Sequence, residues 1–415
     1  MIRKILAITL ALVLLSVVLV GCGEEERIVV PIDDSGATPE KVASVVDSNN
    51  QFAFDLYHKY KDEYDSNIFY SPYSISTALA MTYEGARGKT AEEMQDVFHF
   101  PDEDIRRPGY ARIYNEINKK DKGYKLSTAN ALWSQEKFGF LPDFMGTVEQ
   151  YFGGRATNLN FISNPEGSRK IINDWVEENT MGKIKDLIPR GVITGMTRLV
   201  LTNAIYFKGT WVKQFEKKDT KDEDFYVDET KIIKAPTMRL TGEEAEFNYG
   251  ETDELQVLEL PYEGEDLSML ILLPKEDLAS IDSYLAPEAL NALKQSMYEQ
   301  RVDIYIPKFK FETKYMMNED LKQMGMPTAF SMAADFSGMT GDTSLYISAV
   351  IHQAFVEVNE EGTEAAAATG VVISLKSAMP TQPKVFRADH PFIFMIQQKD
   401  TGNILFMGRV NNPTE

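Results

Sequence analysis

The fold class read from this chain is α+β, with residues 47–415 forming a single large domain. Two kinds of local pattern agree with it, and the resemblance carried by a set of long motifs decides it. Apolar residues recur at helical spacing from Asp47 to Tyr57, and a second apolar helical run covers Ile75 to Tyr83. Residues 359–377 alternate as a strand does: one face carries Thr363, Ala365, Ala367, Thr369, Val371 and Ile373, with no charge among them. Such a strand suits the middle of a sheet, where side chains are small or apolar and every backbone N–H is used. A third observation, a set of long motifs, is given below.

The elements follow in chain order. Arg3 and Lys4 precede an apolar stretch from Ile5 to Val18, shorter than a membrane span and followed by small residues. Residues 1–21 are therefore read as an export signal. Leu19, Val20, Gly21 and Cys22 look like a prokaryotic lipobox, in which Cys22 becomes the first residue and its thiol carries a diacylglyceryl group. Two acyl chains on one residue suffice for stable anchoring. An ordinary signal peptide with an incidental cysteine, and hence a secreted protein, is the alternative. Cys22 is the only cysteine, which excludes a disulfide framework or a multi-cysteine metal site. Residues 22–46 are acidic, contain Pro31, Gly36 and Pro39, and read as a flexible tether. The chain beyond shows no internal repeat.

The formal charge of −20 argues against nucleic-acid binding. Lys119, Lys120, Lys122 and Lys125 form a small basic cluster, read as a solvated loop after a helix, with a polyanion site as the sharper alternative. A catalytic constellation is missing. The four histidines, His58, His99, His352 and His390, make no two-histidine metal motif, and there is no Gly-x-Ser-x-Gly elbow. Residues 85–90 resemble part of a phosphate loop, but Tyr83 stands where a glycine is needed, and a helical run precedes it. The segment is read as a turn between helices. Neither enzyme activity, cofactor nor metal is expected.

Residues 359–377 also contain Glu-Ala-Ala-Ala-Ala, a good helix former taken alone. The flanking sequence overrides that reading. Glu360, Glu361, Gly362, Thr363, Glu364, Ala365, Ala366, Ala367, Ala368 and Thr369 resemble the proximal hinge of an inhibitory serpin, a serine protease inhibitor. Residues 67–81, 201–215, 303–311, 389–395 and 402–410 are similar to further serpin motifs, in the family's order. The resemblance implies three β-sheets surrounded by about nine helices, an exposed reactive-centre loop and a monomer.

It also implies a mechanism. A protease attacks the loop and forms an acyl-enzyme. The hinge side then inserts into the main sheet and traps the enzyme covalently. Counting fourteen residues from Gly362 places the attacked bond between Lys376 and Ser377. A lysine there suits a trypsin-like pocket, whereas cleavage after Leu375 would attract chymotrypsin- or subtilisin-like enzymes. Pro380 and Pro383 make the far side of the loop somewhat long, so the register is open by a residue or two. By position, Ser71, Ser74, Asn203 and His352 match the family's shutter, a buried polar network controlling sheet opening. Trp211, Lys308 and Glu360 match the breach, where the loop first enters, with an ion pair expected between Lys308 and Glu360. Asp389, His390, Pro391 and Phe392 match structural positions. The resemblance thus implies an inhibitor of serine proteases; the N-terminal signal and lipobox, unusual beside typical secreted serpins, place it on the outer face of the cell membrane. A non-inhibitory serpin acting as a surface binding protein is the rival within the family. A lipid-anchored solute receptor, built from two α/β halves, is the rival outside it.

Overall fold

The structure is a computed structural model that describes residues 31–119, 122–363 and 382–415. Ile32–Glu415 make one compact unit. The chain runs α1 (Pro39–Glu63), β1 (Ile68–Tyr70), α2 (Pro72–Tyr83), α3 (Gly88–Phe98), α4 (Glu103–Ile117), β2 (Tyr124–Gln135), α5 (Pro142–Phe152), β3 (Arg155–Leu159) and α6 (Pro165–Asn179). Then follow β4 (Leu199–Thr210), β5 (Lys221–Tyr226), β6 (Ile232–Leu240), β7 (Glu246–Glu251), β8 (Leu255–Pro261), β9 (Leu267–Pro274) and α7 (Pro287–Gln295). The last part holds β10 (Tyr298–Pro307), β11 (Phe309–Met316), α8 (Asn318–Met324), α9 (Ser337–Thr340), β12 (Ile347–Asn359), β13 (Gly362–Thr363), β14 (Lys384–Arg387), β15 (Phe392–Gln398) and β16 (Ile404–Val410).

Three sheets emerge, as expected. The main sheet has the order β11-β12-β13-β4-β2-β3. A second runs β1-β16-β15-β9-β8-β7 and ends on the first half of β10. The second half of β10 leaves it and pairs instead with β6 and β14, while β5 extends β6. Nine α-helices are present among the described residues. None is long and apolar enough to cross a membrane.

Phenylalanines bind the first two sheets together. Phe207 on β4 lies 5.9 Å from Phe406 on β16, which stacks on Phe69 of β1 at 5.4 Å. These rings belong to one large buried core that also takes in α1 and α2. A second apolar cluster covers the other face of the main sheet. There Ile172 and Val176 of α6, with Ile184, Leu187 and Ile188 beyond it, pack on Ala131, Ala204, Ala349 and Ile351.

One boundary differs from the sequence reading. Residues 39–46, assigned to the tether, form the first turns of α1. Thr38 caps the helix, Pro39 occupies its first position, and Val42, Val45 and Val46 are buried. A proline is tolerated in the first turn because its missing N–H is unpaired there anyway. The valines also stand at helical spacing, a signal masked by the acidic, proline-containing surroundings. Residues 84–87 connect α2 to α3, so the partial phosphate-loop pattern is a turn between helices at 85–87, while 88–90 already open α3. Within the basic cluster, Lys122 pairs with Asp266 and Lys125 lies in β2 rather than in a loop. Lys120 falls outside the described residues.

Candidate functional site

The main sheet carries the site. β4 and β12 run parallel and pair from Leu199 opposite Ile347 to Tyr206 opposite Phe355. Above that point they diverge. β13 enters the gap: Gly362 and Thr363 pair with Asn359 and Val358 on one side and with Thr210 and Gly209 on the other, antiparallel to both. The glycine is required by close approach. A Cβ on Gly362 would lie 2.0 Å from Gly209 O and 2.8 Å from Thr210 Cα. Those are backbone atoms and cannot swing aside.

The turn leading into β13 is held at several points. Trp211 N donates to Glu361 O at 2.9 Å, and Phe215 N donates to Glu360 O at 2.8 Å. Trp211 Nε1 donates to Asn359 O at 3.0 Å, and its ring stacks on Tyr262 at 4.6 Å. Tyr262 in turn bonds its hydroxyl to that of Thr363 at 2.7 Å. Both are buried, and burial pushes the Tyr262 phenol well above its usual range.

Lys308 Nζ lies 2.8 Å from Glu360 Oε2, the ion pair expected from the sequence. Glu360 Oε1 accepts a second bond from Thr220 Oγ1 at 2.8 Å. Burial works to raise the Glu360 pKa. The Lys308 ammonium, a backbone bond and the Thr220 hydroxyl outweigh it and hold the carboxyl below its usual value. The neighbouring Glu361 pairs with Lys217 at 2.6 Å.

Ser71, Ser74, Asn203 and His352 meet beneath the paired part of β4 and β12, where Asn203 stands opposite His352. Ser71 N donates to His352 Nε2 at 3.1 Å, so that nitrogen accepts and Nδ1 carries the proton it shares with Asn203 Oδ1. Asn203 Nδ2 donates to Ser74 Oγ at 2.7 Å and to Asn130 Oδ1 at 2.6 Å. Ser71 Oγ caps α2 through Ser74 N at 3.1 Å and donates to Leu405 O at 2.6 Å. The ring is fully buried, and burial drives its pKa down to about 3. This network joins α2, β2, β4, β12 and β16, so β4 and β12 cannot part without disturbing it.

Sequence reasoning missed Asn130, Tyr262 and Thr220. Each comes from an element distant along the chain from the motif it completes. His390 bonds to Pro274 O at 2.7 Å and to Asp389 at 2.8 Å, which ties the start of β15 to the end of β9. Glu364, Ala365, Ala366, Ala367, Ala368, Leu375, Lys376, Ser377 and Cys22 lie outside the described residues. Among the described residues no group of three or more His, Cys, Asp or Glu side chains is placed to hold a metal ion.

Comparison with known proteins agrees with this architecture. The family model for serpins, described as serine protease inhibitors, matches residues 47–413. The chain belongs to the serpin family. An uncharacterized serpin-like protein of Thermococcus kodakarensis is 44% identical over 375 residues, covering 89% of this serpin and 86% of the relative. The leukocyte elastase inhibitor of Bos taurus is 41% identical, over 88% of this chain and 98% of its own. Among solved structures, a serpin described as highly specific in the insect Tenebrio molitor superposes with a TM-score of 0.79 at 33% identity, covering 89% of this chain and 98% of that one.

Proposed function

We propose that this serpin is a lipid-anchored suicide inhibitor of trypsin-like serine proteases. One observation carries the inhibitory reading: Gly362 and Thr363 already occupy the first two places of a strand between β4 and β12. Continuing that strand downward replaces one parallel ladder of eight residue pairs by two antiparallel ladders. Parallel pairing is slightly weaker per residue, and each added backbone bond contributes about 1 kcal/mol net. Insertion therefore runs downhill once the loop is cut.

Speed decides the outcome. The acyl-enzyme must be carried off before water hydrolyses it, so each entering residue has to pass between strands already paired. Thr363 points inward to Tyr262. By strand alternation the next inward residues are Ala365, Ala367 and Thr369, small and uncharged. The bait bond is Lys376–Ser377, whose lysine an acidic specificity pocket accepts. Leu375 is the alternative for chymotrypsin- or subtilisin-like enzymes. The chain itself performs no catalysis, since the acylation chemistry belongs to the target. Cys22 anchors it at the outer face of the membrane, with export by residues 1–21.

Thr363→Arg tests the insertion step. It places a charge where a buried hydroxyl now sits, and unpaired buried charge is costly. The variant is expected to be cleaved by trypsin with at least a ten-fold loss of covalent complex. Undiminished complex formation overturns the insertion mechanism.

A further inference from the structure

Tyr262 is fixed by the elements that frame the gap between β4 and β12. It follows β8, and its backbone bridges that of Trp211 just beyond β4. Val212 N donates to Pro261 O at 3.0 Å, and Glu263 N donates to Thr210 O at 2.8 Å. The ring touches two others from the same stretch of chain. Trp211 stacks on it, and Phe207 of β4 meets it edge-on at 5.0 Å. Gly209 leaves the space the ring fills: a Cβ there would lie 2.7 Å from both Phe207 and Tyr262. The phenol can therefore reach the place beside Gly209 on β13, which is Thr363.

A phenol buried this completely needs a hydrogen-bond partner. Thr363 Oγ1 is that partner, at 2.7 Å, and Thr363 is itself only 1% exposed. Gly362 has no side chain, so among the described residues this is the one side-chain bond that β13 makes. The ladders that join β13 to β4 and β12 run backbone to backbone, and almost any residue could form them. The hydroxyl pair alone depends on which residue stands there. A slip of one residue takes the threonine hydroxyl away from Tyr262 and exchanges the two faces of the strand.

We infer that Tyr262 is a positioning residue for insertion, whose hydroxyl sets the register in which β13 lies and from which the strand lengthens. This rests on the insertion mechanism proposed above. Tyr262 belongs to the body of the domain, so the pin is in place before any bond of the loop is cut. A strand already in register has only to extend. An unpinned strand must first find its register, and the acyl-enzyme is open to hydrolysis in the meantime. Tyr262 thus governs how cleaved inhibitor divides between trapping and release, while the cutting of the loop belongs to the protease.

The test uses the full chain with trypsin, in the single variants Tyr262→Phe and Thr363→Val and in the double variant. The phenylalanine keeps the stacked ring, and the valine keeps the shape of the threonine. Each single change leaves one buried hydroxyl without its partner, whereas the double change removes both. Each single variant is expected to consume at least three-fold more inhibitor per trapped trypsin, with the rate of the first cut within about two-fold of the unaltered chain. The double variant is expected to do no worse than either single, since both changes remove the same bond. An unaltered partition in Tyr262→Phe, or losses that multiply in the double variant, overturns the inference. So does a matching fall in the rate of the first cut, which marks general damage to the fold. Hydrogen exchange at the Gly362 and Thr363 amides reads the pin with no protease present. It is expected to quicken at least ten-fold in Tyr262→Phe, and unchanged exchange overturns the inference. Failure of the unaltered chain to trap trypsin, with that exchange difference intact, strikes the inhibitory reading and leaves Tyr262 as the residue that seats β13.

Discussion

His352 is neutral because it is buried and its two ring nitrogens face a donor and an acceptor, Ser71 N and Asn203 Oδ1. Its pKa falls from 6.5 when exposed to about 3 in the fold. Between those values the unfolded chain binds a proton that the folded chain does not. Stability contributed here is complete above pH 6.5 and declines as the pH falls towards 3, by up to about 1.4 kcal/mol per unit. Urea unfolding at pH 7.5 and at pH 5 is expected to show that loss, and His352→Gln to lessen it. An identical pH dependence in the variant would contradict the assignment. Glu360 acts in the same sense at lower pH, since its lowered carboxyl pKa gives stability that is lost on acidification. Its partner can be tested separately. Lys308→Met leaves the Glu360 carboxylate buried with the Thr220 hydroxyl and a backbone bond. Lys308 is itself 37% exposed, so the expected cost is about 1–3 kcal/mol, below that of a fully buried pair. Urea midpoints read it directly, and a change under 0.5 kcal/mol would deny the pair a structural role.

At the scale of elements, β13 is the part that matters most, and its two residues depend on a missing side chain. Gly362→Val drives a Cβ into the backbone of Gly209 and Thr210. The strand is expected to withdraw from the gap, freeing Thr363 from Tyr262 and exposing the turn after Asn359 to added protease. Limited proteolysis and Trp211 fluorescence report it, and unchanged cleavage and emission would show that β13 tolerates a side chain there. Much of this element was legible beforehand. The hinge motif pointed to a strand entering a sheet at Gly362 and Thr363, whereas the alternation beyond them falls outside the described residues. Lys308 and Glu360 were legible through their motifs. Asn130 and Tyr262 were not, because their roles come from sheet register: Asn130 faces the network only because β2 pairs with β4 at Asn203. The attachment of residues 32–34 to α4 and α5 was hidden for another reason. An acidic segment with Pro31, Gly36 and Pro39 reads as tether by composition, while its attachment depends on Asn115, Arg112 and Gln150 far along the chain.

For the whole molecule, the arrangement is a sheet with one central place only partly filled. β4 and β12 are zipped below Tyr206 and Phe355, closed over the polar network of His352, and parted above by β13. The apolar cluster under α6 and the segment after it lies across the route that a lengthening β13 would take, at Ala204, Ala349 and Ile351. Opening the sheet therefore disturbs a hydrogen-bond network and a packed layer together. In the mechanism proposed above, both would resist insertion until cleavage frees the loop. The soluble domain, lacking residues 1–23, should be mixed with trypsin, run on a denaturing gel and the released peptide weighed. The account predicts a covalent band near the summed masses and a peptide beginning at Ser377. Complete cleavage at that bond with no such band would contradict it.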